Sequence, residues 1–338
     1  MTGKLAELLP SLVRQANLAP SVHNIQPSLW RLRGEQLELL GDTKRVIPVA
    51  DPSMRDWRLS HGAQFEGMKL ALAASGYDLS DLVVAPDVNL DEQSQLFSIA
   101  RGTVVSRLGP LESAVAELEL AHKRQSWRGS FEPMDQKTLD ALSQFSSSRP
   151  DCALFSKSDD IRNVASLYDR ASMHFLRDAG HREELLSWMR LTRSHPAYYR
   201  DGLNLAAMSL NGLEAWAASH VLGSLFYGLD AVGFAGFLLS EAAKCRSSAA
   251  IVIMPRPIDE DPFETGRQFY RLWLDFERYG FKACPMSVLV DWDDARQNLE
   301  TQLEIPSDLK ICAVFRIGKP TAQPAYPRAR LPANELIV

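Results

Sequence analysis

An α+β fold, with a mixed or antiparallel sheet wrapped by helices, is the class this sequence predicts. Three observations lead there. Several long segments repeat apolar residues at helical spacing, and "LKICAVFRIG" alternates as a strand does. "SSAAIVIMP" is a short, nearly continuous apolar run bounded by turn residues, the pattern of a strand buried on both faces.

The elements follow in order. Leu5, Leu8, Leu9, Leu12 and Val13 place one apolar face on a helix over 4–17. After the polar loop "LAPSVHNIQPS", the runs 29–33 and 36–40 flank Gly34 and predict a hairpin. A helix is expected from about Ser60 to Ser75, stopped by Gly76. Segment 85–105 alternates weakly and predicts one or two short strands. "LGPLESAVAELELAHKR" has Pro110 near its start, acids early and Lys123 and Arg124 at its end, all favourable for a helix. Further helices are expected near 136–146, 158–179 and 181–194, with at least one long apolar helix within 210–245. A strand ends at Pro255. Phe269, Leu272, Trp273, Phe276 and Tyr279 form one stripe of a helix closed by Gly280. In the last strand Ile311, Ala313, Phe315 and Ile317 share a face.

A chain of 338 residues suffices for one large domain or two ordinary ones. A net charge of −5 argues against non-specific nucleic-acid binding. No run reaches the ~20 apolar residues of a membrane helix, and "MTGKLAELLPSLVRQ" is no signal peptide, so a cytoplasmic location is expected. Cys152, Cys245, Cys284 and Cys312 lack C-x-x-C spacing and the histidines are scattered, which disfavours disulfides and a metal site.

Four segments could carry chemistry. Ser21, His23, Asn24 and Gln26 lie between Pro20 and Pro27, which reads either as a cap and turn or as a rigid polar edge for a planar heterocycle. "RQSWRGSF" offers Arg124 and Arg128 around Ser126, either a solvated basic helix end or a phosphate clamp. "YPRARLPANEL" carries Arg328 and Arg330 in a tail whose prolines and apolar close suggest docking. "GFKACPMSVL" contains Cys284, more naturally a core thiol than a nucleophile, and a turn at Pro285, Met286 and Ser287 that can present backbone N–H groups. "DEDPFE" and "DWDD" read as solvated acidic loops. With clamps rather than an acid–base or nucleophilic set, the chemistry is expected to belong to a cofactor.

Taken together, these segments resemble the FMN-dependent nitroreductase family. Its R-x-S-x-R, P-S-x-x-N-x-Q-P, ring-edge proline turn and C-terminal [KR]-x-R-x-P motifs are matched by Arg124–Arg128, Pro20–Pro27, Ala283–Met286 and Arg328–Pro332. Here the P-S-x-x-N loop precedes the arginine segment, as in the longer branch of Acg-type proteins, where one chain contains both halves of a pseudo-dimer. "DPSMRDWRLSHGAQFEGMKLALAASGY" is similar to that branch's D-P-x-x-R…S-x-G-A segment.

The resemblance implies a nitroreductase-like fold in two halves, 1–110 and 111–338, with a lid insertion near 178–212 to which Trp188, Tyr198 and Tyr199 could contribute. It implies FMN as cofactor and NAD(P)H as electron donor. Arg124, Gln125, Ser126 and Arg128 would hold phosphate and ribityl, and Arg328 and Arg330 would complete the clamp. Pro20, Ser21, Asn24 and Gln26 would face the isoalloxazine, and Pro285, Met286 and Ser287 its reactive edge. Lys244 corresponds loosely to a family lysine near the ring, and Trp30 is displaced by two positions from the family's Q-P-W. The activity implied is hydride transfer to a small nitroaromatic or quinone-like acceptor, with no nucleic acid or membrane partner, in a monomer or homodimer. The alternatives are a flavin-sequestering protein without turnover, or a specialised enzyme of flavin fragmentation or reductive dehalogenation.

Overall fold

The computed structural model describes residues 2–86, 95–322 and 328–338. Among them the helices are α1 (Thr2–Ala16), α2 (Arg55–Ala74), α3 (Glu112–Lys123), α4 (Gln136–Ser148), α5 (Ser158–Arg177), α6 (Ala179–Trp188) and α7 (Gly212–Leu222). Then come α8 (Phe226–Ala231), α9 (Phe234–Leu238), α10 (Ala242–Arg246), α11 (Pro262–Arg278), α12 (Val288–Asp291) and α13 (Asp293–Gln302). The strands are β1 (Ser28–Arg33), β2 (Gln36–Asp42), β3 (Tyr77–Val84), β4 (Leu96–Ser106) and β5 (Ala153–Phe155). They continue with β6 (Met189–Arg190), β7 (Leu203–Asn204), β8 (Ala250–Pro257), β9 (Lys282–Pro285) and β10 (Leu309–Gly318).

The fold is α+β, built on two antiparallel four-stranded sheets with orders β1-β2-β4-β3 and β5-β8-β10-β9. The orders correspond: in each sheet a long helix connects the second strand to an edge strand, which pairs with the strand that follows it. The first sheet covers one face with α1 and α2. The second is buried on both faces, because Ile251, Ile253 and Val314 face one apolar cluster and Val252, Phe315 and Ile317 another.

Helices α2 and α11 join the two sheets by a crossing that only glycine permits. A Cβ on Gly62 would lie 1.8 Å from the Phe263 carbonyl oxygen, and one on Gly266 would lie 2.0 Å from that of Leu59. Beside this crossing Glu66, 3% exposed, accepts from Arg267 Nε at 2.9 Å and Arg271 Nε at 2.7 Å. Of the stripe predicted for α11, Leu272, Trp273 and Phe276 are buried, and Phe269 and Tyr279 are half-buried. Its opposite side is buried as well, with Tyr270 and Leu274 packed beside Ala63 and Ala121.

Several expected boundaries differ. Helix α2 begins at Arg55, not near Ser60, because the Asp51 carboxylate accepts the Trp57 N–H at 2.8 Å and starts the helix early. Strand β3 lies ahead of the expected 85–105 region. A register shift between Ser80 and Val83, with Asp81 at φ 49°, breaks the alternation that would have revealed it. Part of the expected 85–105 segment, residues 87–94, lies outside the described residues. The helix expected over 181–194 stops at Trp188, where Met189 and Arg190 pair in parallel with Leu203 and Asn204. Region 210–245 is four short helices rather than a long one; Gly233 turns the chain at φ 75°, and Asp169 holds the break at Ser240 and Glu241. In β10 a register shift between Ile311 and Ala313 moves Ile311 to the opposite face from Phe315 and Ile317.

His61 is fully buried in α2, hydrogen-bonded through Nδ1 to Ser28 Oγ at 2.7 Å and edge-on to Trp57. Burial, helped by Arg58, lowers its pKa to about 3. A lowered folded-state pKa means that protons bind the unfolded chain first. Stability is therefore expected to be full above the ordinary histidine value of 6.5 and to be lost as pH falls from there toward 3. Urea melts of the protein and of His61→Asn across this range should show a shallower acid loss in the variant. Gly62→Ala and Gly266→Ala should each lower stability by about 1–3 kcal/mol or more through overpacking, read as a shift in urea midpoint.

Candidate functional site

A cavity of about 380 Å³ lies where the two sheets' loops meet. Four separated stretches of chain bring the residues singled out in the sequence to it. The loop after α1 supplies Pro20, Ser21, His23 and Asn24; the segment after α3 supplies Arg124, Gln125, Ser126 and Arg128. The turn after β9 supplies Pro285 and Ser287, and the C-terminal segment supplies Arg328 and Arg330. Sequence-predicted residues as far apart as Pro20 and Arg330 thus share one cavity.

The first loop is tightly wound, with His23, Asn24 and Gln26 at φ 43°, 57° and 52°. Such left-handed backbone is costly for non-glycine residues and persists where surrounding contacts fix it. Those contacts are visible. Ser21 Oγ accepts the Gln26 N–H at 3.0 Å, and Asn24 Nδ2 donates to the carbonyls of Gly202 and Ala329 at 3.2 and 3.1 Å. Asn24 Oδ1 accepts from Arg330 Nη1 at 2.8 Å, which also orients that guanidinium.

Arg124 ends α3 with its guanidinium 4.5 Å from the Trp273 ring centre and Nη2 donating to the Leu18 carbonyl at 2.8 Å. Arg328 donates to the His122 carbonyl and Arg330 to the Asn17 carbonyl. Ser126 bridges to Ala283, and the Trp127 N–H reaches the Ala283 carbonyl at 2.9 Å, so the arginine segment is fixed to β9. Burial first, and then the Arg128 charge, lower the pKa of His23 to about 4, leaving a neutral imidazole on the cavity wall.

Two predicted residues are not among those lining the cavity. Gln26 is 4% exposed and ties segments together: its Oε1 accepts from Asn17 and from the Leu331 N–H, and its Nε2 donates to the Arg200 carbonyl at 2.8 Å. Met286 is fully buried in the second sheet's core, and its N–H is taken by the Val314 carbonyl at 2.8 Å. Lys244 pairs with Glu241 at 2.8 Å, and Trp30 is a core residue whose N–H pairs with the Leu336 carbonyl of the docked tail.

Over the cavity lies a strap, residues 189–208. Leu203, Asn204, Ala207 and Met208 line the cavity, whereas Trp188, Tyr198 and Tyr199 are not among the lining residues. A buried ion pair fixes the strap: Arg190 donates twice to Asp201 Oδ1, at 2.9 and 3.1 Å, and Arg45 reaches Asp201 Oδ2 at 3.1 Å. Gly202, at φ 70°, fits beneath it because any Cβ would lie 2.3 Å from the Trp188 carbonyl.

The remaining wall was hidden in segments with other readings. Arg55 and Asp56 come from the "DPSMRDW" stretch, Asp291 from "DWDD" and Tyr168 from α5. Arg55 Nη1 lies 3.3 Å from both Asp56 Oδ1 and Asp291 Oδ1, and its Nη2 donates to the Cys312 carbonyl at 2.9 Å. "DWDD" is therefore not a solvated loop: Asp293 is exposed at the start of α13, and Asp291, at the end of α12, faces the cavity. "DEDPFE" likewise contributes Asp261 and Glu260 to ion pairs with Arg58 and Arg256. Spacing alone could not join Asp56 to Asp291, which different elements carry.

No family model matches the chain. Over 70 residues it is 36% identical to the "Putative NAD(P)H nitroreductase acg" of Mycobacterium tuberculosis, a stretch covering 21% of each chain. The chain sequence resembles a nitroreductase. The match thus spans about a fifth of the curated relative's length. Solved structures that align include the FMN-dependent nitroreductase NfnB from Mycobacterium smegmatis in complex with NADPH, at 19% identity and TM-score 0.33, over 62% of this chain and 89% of that one. A "putative nitroreductase" from Anabaena variabilis aligns over 93% of this chain and 73% of its own, at 12% identity and TM-score 0.36. No helix among the described residues is long and apolar enough to cross a membrane.

Asp201→Ala removes one partner of a buried pair and leaves Arg190 uncompensated. It should cost about 3–5 kcal/mol of local or global stability. Limited proteolysis should then cut within 189–208 faster than in the parent protein.

Proposed function

We propose that this chain is an FMN-binding oxidoreductase that passes electrons from NAD(P)H to a small electron-poor acceptor of the nitroaromatic or quinone class. The observation carrying this reading is the convergence of Arg124, Arg128, Arg328 and Arg330 with the 20–24 loop and the 285–287 turn on one cavity. The residues present fit the cofactor. A volume of 380 Å³ falls within the ~300–1,000 Å³ of small-molecule sites. Guanidinium groups match phosphate oxygens in charge and geometry, and Ser126 and Gln125 offer hydroxyl and amide partners to a polyol.

When bound, FMN supplies two-electron redox chemistry, and this chain's residues bind and orient it. Arg124, Arg128, Arg328 and Arg330 would hold the phosphate, with their positive charge also opposing the negative charge that reduction adds. Pro20, Ser21 and Asn24 would form one wall of the ring site, with Pro285 and Ser287 near its reactive edge. Leu203 and Met208 of the strap would exclude water from above.

In the same reading the halves 1–110 and 111–338 form an intramolecular pseudo-dimer. Its supports are the shared strand order and the helix pair α2 and α11. There Gly62-Ala63-Gln64-Phe65 answers Gly266-Arg267-Gln268-Phe269, and Gly76 and Gly280 follow at the same spacing.

Flavin sequestration without turnover is the second reading, favoured by the strap's attachment to Asn24 and Gln26 across the cavity mouth. Anaerobic NADPH titration of FMN-loaded protein separates the two. Bleaching followed by reoxidation with menadione supports the enzyme, and an unbleached flavin supports storage. Arg124→Ala and Arg328→Ala should each weaken FMN binding about 10- to 100-fold, matching ~1.5–3 kcal/mol for a charged hydrogen bond. Fluorescence titration reads this directly. Protein that takes up no added FMN overturns the whole reading.

A further inference from the structure

The wall of Arg55, Asp56 and Asp291 opens on the same cavity as the arginine segment and the 20–24 loop. Its two carboxylates come from different halves of the chain, Asp56 from the first turn of α2 and Asp291 from the end of α12, and they share one guanidinium. With both acids ionised, the group carries one negative charge more than Arg55 neutralises. One bound proton balances it. Asp291 also sits one helical turn beyond Ser287, since the Ser287 carbonyl accepts the Asp291 N–H at 3.0 Å. This places its carboxyl beside the turn that borders the cavity.

We propose that Asp291, held by Arg55 and set against Asp56, is the proton donor to the acceptor reduced in this cavity. This rests on the oxidoreductase reading above. A quinone becomes a hydroquinone by gaining one hydride and one proton. The hydride derives from the nicotinamide donor by way of the cofactor. The proton leaves the Asp291 carboxyl as its O–H bond breaks and a new O–H forms on the acceptor, giving an Asp291 carboxylate that regains a proton from water.

The surroundings of Asp291 favour its protonated form. Burial and the Asp56 charge, with a smaller push from Asp51, outweigh the opposing pull of Arg55 and raise its pKa to about 8. Roughly a quarter of the side chain remains accessible, 26%, because it borders the cavity. Asp293 and Asp294 follow at the start of α13, and Arg55 Nη2 reaches the Cys312 carbonyl on β10. Asp56 is pushed up as well, by burial and by Asp51, against Arg55.

Two measurements test this. The first needs no flavin. Infrared difference spectra of the full chain titrated through pH 8 should show a protonated-carboxyl band lost near that pH, absent from Asp291→Asn and moved to lower pH in Asp56→Asn. The second uses FMN-loaded protein reduced with NADPH and mixed with menadione, which needs a proton, or ferricyanide, which takes electrons alone. Reoxidation by menadione should fall above pH 8 in the parent protein and drop about 100-fold or more in Asp291→Asn at neutral pH, relative to the ferricyanide rate. Asp291→Glu should recover part of that loss, which an unfolded or emptied variant would not show. No carboxyl band near pH 8, or equal slowing with both acceptors, overturns the proposal. Failure to bind FMN or to bleach with NADPH instead overturns the oxidoreductase reading and leaves the infrared result standing.

Discussion

Everything about this cavity depends on how closely α2 approaches α11. Each helix places a glycine under a carbonyl of the other, Gly62 under Phe263 and Gly266 under Leu59. Side chains elsewhere on the two helices then interlock, and Glu66 can be buried because Arg267 and Arg271 are brought to it. A wider crossing would move the two sheets apart and open the walls that their loops supply. Arg55 and Asp56 begin α2, and Phe269 and Trp273 lie along α11, so both helices line the cavity they hold together.

A second level of fixing comes from chain segments that end far from where they act. The C-terminal tail returns to the first sheet, where Trp30 pairs with Leu336 and Val338, and this brings Arg328 and Arg330 to the loop at Asn24. Gln26 joins the same arrangement from behind, bonding Asn17, Leu331 and Arg200 with a single amide. The guanidinium groups are therefore preorganised by backbone carbonyls of Asn17, Leu18 and His122. Preorganised charge is worth most inside an enclosed site, where no solvent has to reorient when a negative group arrives.

The same enclosure gives acids and bases on the walls opposite treatment. His23 loses its proton because burial and Arg128 both oppose a positive ring. Burial and the Asp56 charge push the pKa of Asp291 up, because both oppose a second negative charge there. The cavity thus carries its positive charge on arginines, which do not titrate.

The sequence by itself determined the α+β class, the hairpin, the buried strand read as ending at Pro255 and most of the apolar stripe of α11, since period and turn chemistry are local. It also singled out the arginine, proline and amide segments, because their residue types limit what they can bind. Tertiary structure alone decided the rest. Strand β3 was concealed by a bulge, the helix over 181–194 was cut short where Arg190 meets Asp201, and Gln26 and Met286 went to packing rather than to the cavity wall. Asp56 and Asp291 are the plainest case. More than two hundred residues apart, they acquire a shared guanidinium only when α2 and α12 are brought to one wall, and no pattern along the chain records that distance.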